Sequence, residues 1–182
     1  MADEVRYAVV DYDVHGNNKA YSRIYKHLRK VAIMFTESVY MVNIAQAVKV
    51  HDAFTKINKD LEEAGLGTLQ FDTLEIAERE FEKMRNRSVS ALTLQVQEIV
   101  NSLHKSIEVL EVKYDPKVDD PNDLISERKV RVAKARNLLK QARGVAMLFL
   151  IDKDVNDAVS AADLVIEAQK AAVRAPPKAM AV

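Results

Sequence analysis

The feature that most constrains the fold is an apolar stripe across residues 72–115, a stretch that contains neither glycine nor proline. The apolar positions recur every three or four residues, which is the spacing of one helix face, and no helix-ending residue interrupts them. The pattern predicts one helix from residue 73 to about residue 112, roughly 60 Å long at about 1.5 Å per residue. Such a helix exceeds the radius of gyration of a compact domain several times, so we expect it to protrude or to pair. The stripe comprises Leu74, Ala77, Phe81, Met84, Ser88 and Ala91, and after a phase shift Leu92, Val96, Ile99, Leu103, Ile107 and Leu110.

The segment after this helix predicts its pairing partner. The sequence YDPKVDDPND ends the first long helix with two prolines, and a second helix is expected from about Asp123. Two long helices joined by a short turn are typical of an antiparallel hairpin. We expect this helical arm, residues 44–143, to self-associate, because a lone two-helix hairpin buries only one face of each helix.

The first 43 residues have a different pattern. VRYAVVDYDV alternates apolar and polar positions and predicts a strand, and the turn Gly16–Asn18 leads into a helix from Lys19. The sequence VAIMFTESVYMVN then predicts a tight hairpin with strands at about 31–35 and 38–42.

The arm itself is expected to begin with a helix over residues 44–64. Gly65 fits the left-handed position that follows a helix end. A loop through Phe71 is predicted next, after which Asp72 and Glu75 have the spacing of a capping box at the start of the long helix.

Residues 144–152, GVAMLFLID, fit two structures. Seven consecutive apolar residues suit a buried strand and suit the continuation of the second long helix equally well. Gly144 is a plausible helix stop and favours a strand at 145–151, so that Asp152 or Asp154 would cap a last helix reaching about Val173.

The predicted fold class is α+β, helix-dominated overall, with a ferredoxin-like βαββ…β core and a long antiparallel helical hairpin or bundle inserted in it. The core would comprise residues 1–43 and about 144–173. The arm would comprise residues 44–143, and the tail 174–182 would be disordered.

Two groups of residues in the N-terminal segment are candidates for function. If the first strand continues far enough, Asp11, Asp13 and His15 share one face, where two carboxylates and an imidazole can hold a divalent cation such as Mg²⁺. Such a cation could activate water against a phosphodiester. The alternative is that polar residues at a strand end simply begin the turn that follows.

The second group is a basic stripe on the following helix, formed by Lys19, Arg23, Lys26 and Lys30 with Arg29 beside them. The spacing places four of them on one helix side, where they can bind phosphates and make the affinity dependent on salt. The alternative is a solvated helix face. A second run, residues 128–143, has seven basic residues and no acidic one, and either binds polyanions or pairs with acids of the first long helix.

The N-terminal segment resembles the Cas2 family of CRISPR-associated proteins. The resemblance rests on Tyr12–Asp13 at the end of the first strand, the basic helix, and Ser38–Val39–Tyr40 on the third strand. It implies a ferredoxin-like fold, a symmetric dimer and nucleic-acid binding, and in some members a metal-dependent nuclease whose metal is held by the aspartate that corresponds to Asp13. It covers residues 1–43, and residues 44–143 have no counterpart in the much shorter typical member.

Several function classes are disfavoured. The chain has no cysteine, which excludes disulfides, thiolate zinc sites and cysteine nucleophiles. It has no Walker-type phosphate loop, no signal-like N-terminus and no apolar run long enough for a membrane span, so we expect a cytoplasmic protein without a membrane partner.

Two hypotheses remain. The first is a nucleic-acid-binding protein that binds DNA or RNA through helix 19–30 on a ferredoxin-like dimerisation platform. The second is a non-catalytic structural or adaptor protein that self-assembles through its long helices. The residues favour the first, and they favour binding over catalysis.

Overall fold

The structure is a computed structural model, which describes residues 5–16, 18–36 and 38–174. It confirms an α+β chain in which helix predominates. The described elements are β1 (Val5–Gly16), α1 (Asn18–Leu28), β2 (Ala32–Met34), β3 (Val39–Asn43), α2 (Ile44–Glu63), β4 (Gly67–Ala77), α3 (Glu78–Lys113), α4 (Pro121–Leu148) and α5 (Asn156–Ala172).

The chain divides into two compact units. The sheet unit comprises the residues up to Leu92 together with Gln141–Asp154, and the helical unit comprises Thr93–Lys140 together with the residues from Val155 onward. Each unit therefore draws on two separate stretches of the sequence.

The sheet unit contains a four-stranded sheet in the order β2-β3-β1-β4, in which all neighbouring strands are antiparallel. β1 lies in the interior of the sheet and pairs with β4 along its whole length, from Val5 opposite Ala77 to Gly16 opposite Gly67. The predicted strand 5–14 and the predicted hairpin are confirmed, and each bound of β2 and β3 lies one residue from the expected position.

The loop predicted through Phe71 and the capping box predicted at Asp72 and Glu75 are wrong, because these residues lie within β4. The physical reason is that β1 has a second row of backbone hydrogen-bonding groups, which the 11 residues of β4 satisfy. The left-handed backbone expected at Gly65 is confirmed, with a φ of +61°.

One sheet face is buried under α1 and α2. The even-numbered residues of β1 from Ala8 to Val14 point to this face, and the two helices contribute apolar side chains that are almost completely inaccessible to solvent. The packed residues are Ala8, Val10, Tyr12, Val14, Ile24, Leu28, Tyr40, Val42, Val50, Phe54, Leu61 and Leu69.

The opposite sheet face is covered at the end that holds Tyr7. The ring of Tyr7 stacks on Phe81 of α3 at a centroid distance of 4.0 Å and on Phe149 at 5.5 Å. Ile33 and Met41 are also fully buried. This second core therefore fixes the start of α3 and residues 141–154 against the sheet.

The strand predicted at 145–151 is wrong. α4 continues through Gly144 to Leu148, and a turn with Leu150 at a φ of +54° follows. A strand would place Met147 and Phe149 on the same face, whereas Phe149 is 0% exposed and Met147 is 66% exposed. β4 already occupies the β1 edge that a fourth strand needed, so the fourth strand precedes the long helices and those helices follow the sheet instead of being inserted in it.

The end of this turn is held by Arg85, which donates hydrogen bonds to the Leu150 carbonyl at 3.0 Å and to Asp154 at 2.7 Å. Asp154 therefore does not cap α5. The residue that precedes α5 is Val155, which makes no side-chain cap, so the cap predicted at Asp152 or Asp154 is wrong.

The helical unit contains the remaining parts of α3 and α4 together with α5. Arg128 in the second turn of α4 donates hydrogen bonds to Glu111 near the end of α3 and to the Val173 carbonyl after α5. Two turns later in α4, Arg136 pairs with Glu167, which lies earlier in α5. α4 therefore runs antiparallel to α5, and the sequence-predicted pairing of α3 with α4 is reflected in the bond between Arg128 and Glu111.

Across the part of the chain that the structure describes, no helix combines the length and the apolar content needed to cross a membrane. The disorder expected for residues 174–182 concerns positions that, apart from Arg174, lie outside the described residues.

Candidate nucleic-acid interface

Helix α1 is anchored to the sheet by its apolar stripe. Ile24 and Leu28 are both 0% exposed and lie in the core beneath β1. Tyr21 is 41% exposed, and its hydroxyl donates a hydrogen bond to the Val14 carbonyl at 3.4 Å. The helix therefore has a fixed orientation, and the side opposite Ile24 faces solvent.

The solvent side of α1 carries basic residues. Arg23, Lys26 and Lys30 are exposed, while the half-buried Arg29 places its guanidinium 4.8 Å from the centre of the Tyr25 ring. Such a cation–π contact restrains Arg29 at the edge of the stripe. The side chain of Lys19, the remaining member of the basic stripe, lies outside the described residues.

Among the described residues, a weak contact partly neutralises this stripe. Arg23 lies 3.8 Å from Asp60 of α2, and both side chains are about half exposed. Exposed pairs of this kind contribute ~0–1 kcal/mol, so Asp60 does not prevent Arg23 from binding another anion.

His27 lies on the same helix but contributes no positive charge to the interface at neutral pH. Its ring is half-buried, and its Nε2 atom has no hydrogen-bond partner among the described residues. Burial, and next the nearby charge of Lys30, lower the pKa of His27 below its ordinary value.

The candidate metal residues lie on the other side of the sheet. Asp11, Asp13 and His15 are exposed and alternate along β1 with Tyr12 and Val14, which face the α1 side. The structure therefore brings the three candidates onto one face, as the strand pattern predicts. It does not bring them together with the basic stripe.

The geometry within this face is open. His15 Nε2 lies 3.4 Å from an Asp13 carboxylate oxygen, and both side chains are more than 60% exposed. Asp72 of β4 lies directly opposite Asp11 in the strand register. Among the described residues, no three His, Cys, Asp or Glu side chains are grouped so that they could hold a metal ion.

Asp72 and Gln70, the β4 residues across from Asp11 and Asp13, were not among the candidates from the sequence. The signal that could have identified them is the alternation in GTLQFDT, where Leu69 and Phe71 point to the core and Gln70 and Asp72 do not.

The motif residues that carry the Cas2 resemblance divide between packing and exposure. Tyr12 and Tyr40 are buried and stack at a centroid distance of 5.8 Å, and burial raises the pKa of Tyr40 far above its ordinary value, with the Tyr12 hydroxyl adding to the effect. Asp13, in contrast, is exposed. The two tyrosines therefore have a sufficient role in the core of this chain.

The second basic run, residues 128–143, is partly neutralised within the helical unit. Arg128, Arg131 and Arg136 pair with glutamates of α3, α4 and α5 respectively. Lys129, Lys134 and Lys140 are exposed. These pairings favour the reading of this run as a solvated face with internal ion pairs over a continuous polyanion surface.

No protein-family model, curated protein or solved structure matches this chain.

Proposed function

We propose that residues 5–77 form a ferredoxin-like module. The element order βαββαβ supports this assignment, with α2 as the second helix and β4 as the fourth strand. The sheet order β2-β3-β1-β4 with antiparallel neighbours also supports it. The long helices then follow the module, and the resemblance to the Cas2 family concerns β1, α1 and β3.

We propose that this module binds DNA or RNA through the basic stripe on α1. The observation that carries the proposal is that the charged side chains described on α1 and the turn after it are all basic and lie on its solvent side. Because Ile24 and Leu28 are fully buried, α1 presents Arg23 and Lys26 from a fixed position, and the hydrogen-bonded turn after it presents Arg29 and Lys30. The proposal is for binding without chemistry.

The length of the stripe sets the expected size of the interface. Arg23 and Lys30 are seven residues apart, and the backbone bond from Lys30 to the His27 carbonyl continues the helical path beyond α1. Their separation is therefore about 10.5 Å at ~1.5 Å per residue. A nucleic-acid strand has one phosphate per ~3.4 Å, so the stripe spans about three phosphates. Each neutralised phosphate contributes about −0.9 to the slope of log affinity against log salt for duplex DNA. The expected slope is therefore about −2.7, which is roughly a 40-fold loss of affinity between 50 and 200 mM salt.

The test is fluorescence anisotropy with a labelled 20-base-pair duplex and with single-stranded RNA, titrated at several salt concentrations. Lys26→Gln combined with Lys30→Gln removes two phosphate contacts and should reduce the slope to about −0.9. The matched control is Lys105→Gln combined with Lys153→Gln, two exposed lysines outside α1, with the same change in net charge. The control should retain the full slope.

Two results would contradict the proposal. One is undetectable binding of the wild-type chain to either nucleic acid at 50 mM salt. The other is a salt slope that the two double variants reduce equally, because the charge of the whole chain would then matter and the stripe would not.

A second candidate function is self-assembly through the helices. Large aliphatic side chains of the helical unit are exposed, including Leu94 at 60%, Val130 at 58% and Leu164 at 74%. Exposed aliphatic side chains at this level can contribute to a contact with another copy. Multi-angle light scattering tests this candidate: a monomer at 100 µM would remove it, and an oligomer that Leu164→Lys dissociates would support it.

A further inference from the structure

A cavity of about 460 Å³ lies within the helical unit, between α4 and the end of α5. Its floor is aliphatic and consists of Val132 and Ala133 from α4 with Ala171 and Val173 from the end of α5. Val132 and Val173 are almost fully buried, which fixes the position of this floor. The volume is within the ~300–1,000 Å³ range of small-molecule sites.

The rim of the same cavity is cationic. Lys129, Arg136, Lys170 and Arg174 line it, and among the described lining residues none is acidic. Glu167, which does not line the cavity, bonds to Arg136 at 3.1 Å and to Lys170 at 3.0 Å and holds these two side chains side by side. One carboxylate is therefore shared by two cations, and the four lining cations retain an excess of positive charge.

The chemistry of the lining limits the ligand. The floor has no aromatic ring among its described residues, so it offers no stacking platform for a nucleobase. The lining side chains include donors from lysine and arginine and no acceptor, so the amino groups of a base would lose their hydrogen bonds on entry. An aliphatic chain, in contrast, can pack on the apolar floor, and an anionic head group can accept charge-assisted hydrogen bonds from the cations of the rim.

We propose that this cavity binds a single-chain aliphatic anion, a free fatty-acid-like carboxylate, with its chain on the Val132–Val173 floor and its head group between the rim cations. The site is separate from the α1 stripe and does not depend on the function proposed for that stripe. The occupant is a soluble amphiphile rather than a lipid surface, because the apolar part is confined to four floor residues between two helices and is not an extended apolar patch.

The experiment is methyl NMR with ¹³C-labelled alanine and valine, in which decanoate is added below its micelle concentration. We expect decanoate to shift the methyl signals of Val132, Ala133 and Ala171 and to bind at least 10-fold more tightly than acetate or 1-decanol. Equal affinity for acetate would indicate a plain anion site, and equal affinity for 1-decanol a plain apolar crevice. Either result would overturn the proposal, as would shifts confined to other methyl groups.

Variants separate the floor from the rim. Ala133→Leu fills the cavity from an exposed helix position and should weaken decanoate binding at least 10-fold, as should Lys129→Gln combined with Arg174→Gln. The controls Ala168→Leu and Lys134→Gln change exposed positions of the same two helices that do not line the cavity, and they should alter the affinity less than twofold. Equal loss in the variants and their controls would overturn the assignment of the ligand to this cavity.

Two further measurements test the identity of the ligand. A 20-base oligonucleotide that displaces decanoate would show that the cavity belongs to a polyanion surface. The alternative outcome is that the protein sediments with phosphatidylglycerol vesicles, loses this binding in Ala133→Leu, and shows no methyl shift with decanoate. This combination would show that the anionic head group belongs to a membrane lipid. Either result would overturn the proposal of a free amphiphile.

Discussion

Truncation of Phe149 to alanine tests the sheet unit in the segment whose sequence fits both a strand and a helix. In the structure, Phe149 is 0% exposed and contacts the rings of Tyr7 and Phe81 at centroid distances of 5.5 and 5.9 Å. Removal of a buried phenylalanine costs ~3–5 kcal/mol. Each aromatic pair contributes about 0.5–1.5 kcal/mol beyond area burial, so the loss should exceed the lower end of that range.

The expected loss is therefore about 4 kcal/mol in the free energy of unfolding, which is a large part of the ~5–15 kcal/mol that stabilises a typical domain. With an m-value of about 2 kcal/mol/M, the urea midpoint should decrease by about 2 M. Tyrosine fluorescence is a suitable probe because the chain has six tyrosines and no tryptophan, and Tyr114 is the one tyrosine outside the sheet unit.

The control is Met147→Ala, two residues earlier in the same segment. In the structure Met147 is 66% exposed, so its truncation should change stability by less than about 0.5 kcal/mol. In a strand, Met147 and Phe149 would share a face, and both truncations would be costly. Similar losses for the two variants, or a loss below 1 kcal/mol for Phe149→Ala, would refute the placement of this segment.

Three further predictions concern the backbone, a helix cap and pH. Gly65 has a φ of +61° and Gly144 lies inside α4, and an added Cβ meets nothing within 4 Å at either position. Gly65→Ala should therefore destabilise by about 1–2 kcal/mol through backbone strain alone, and Gly144→Ala should stabilise by ~0.5–1 kcal/mol, both measured by urea unfolding. Asn43→Ala removes the side-chain oxygen that accepts from the second backbone amide of α2 at 3.0 Å and the amide group that donates to the Leu148 carbonyl at 3.3 Å. Thermal unfolding should show a loss of about 2 kcal/mol, of which Asn43→Asp restores only the cap contribution of about 1 kcal/mol, because a carboxylate has no donor for the Leu148 carbonyl. Because the pKa of His27 is lowered in the folded chain, the unfolded chain binds more protons below about pH 6.5, and stability should fall as pH decreases from there until the lowered pKa is passed. His27→Gln should reduce this dependence and the exposed His104→Gln should not; equal slopes for the two variants would contradict the cause assigned.

The N-terminal elements could be predicted because their local patterns agree with the final structure. Alternation in β1, the i, i+3, i+4 spacing of α1 and the short apolar runs of the hairpin each specify one structure. Gly65 ends α2 where its left-handed conformation is expected.

β4 and residues 145–151 could not be assigned in the same way, because their structure depends on a partner distant in sequence. DTLE has the spacing of a capping box, but Asp72 and Glu75 pair with β1 as part of β4. Once β4 fills that edge, the apolar run 145–151 has no position beside β1, and the continuation of α4 to Leu148 with the turn after it places Phe149 on Tyr7. A local sequence pattern does not show which of two distant segments pairs with the open edge of β1.

For the candidate site, the sequence patterns predicted which way single residues face but not how the two groups of residues are arranged. Alternation correctly placed Asp11, Asp13 and His15 on one face, and helical spacing correctly placed Arg23, Lys26 and Lys30 in solvent. The sheet face that α1 covers depends on the packing of Tyr12 and Val14. The separation of the three candidate metal residues from the basic stripe is therefore visible only in the folded chain. The cavity between α4 and α5 likewise combines residues about 40 positions apart.

The division of the sheet unit into two chain segments has a consequence during synthesis. The strands and α2 are complete once residue 77 has left the ribosome, whereas Phe149 follows 72 residues later, at position 149. At ~5–20 residues per second, the nascent sheet waits roughly 4–14 s for that ring. During this interval the Tyr7 face remains an apolar surface that Phe149 does not yet cover. A ribosome-associated chaperone would therefore have a defined patch to bind. Slower elongation before residue 149 should increase aggregation of the emerging polypeptide.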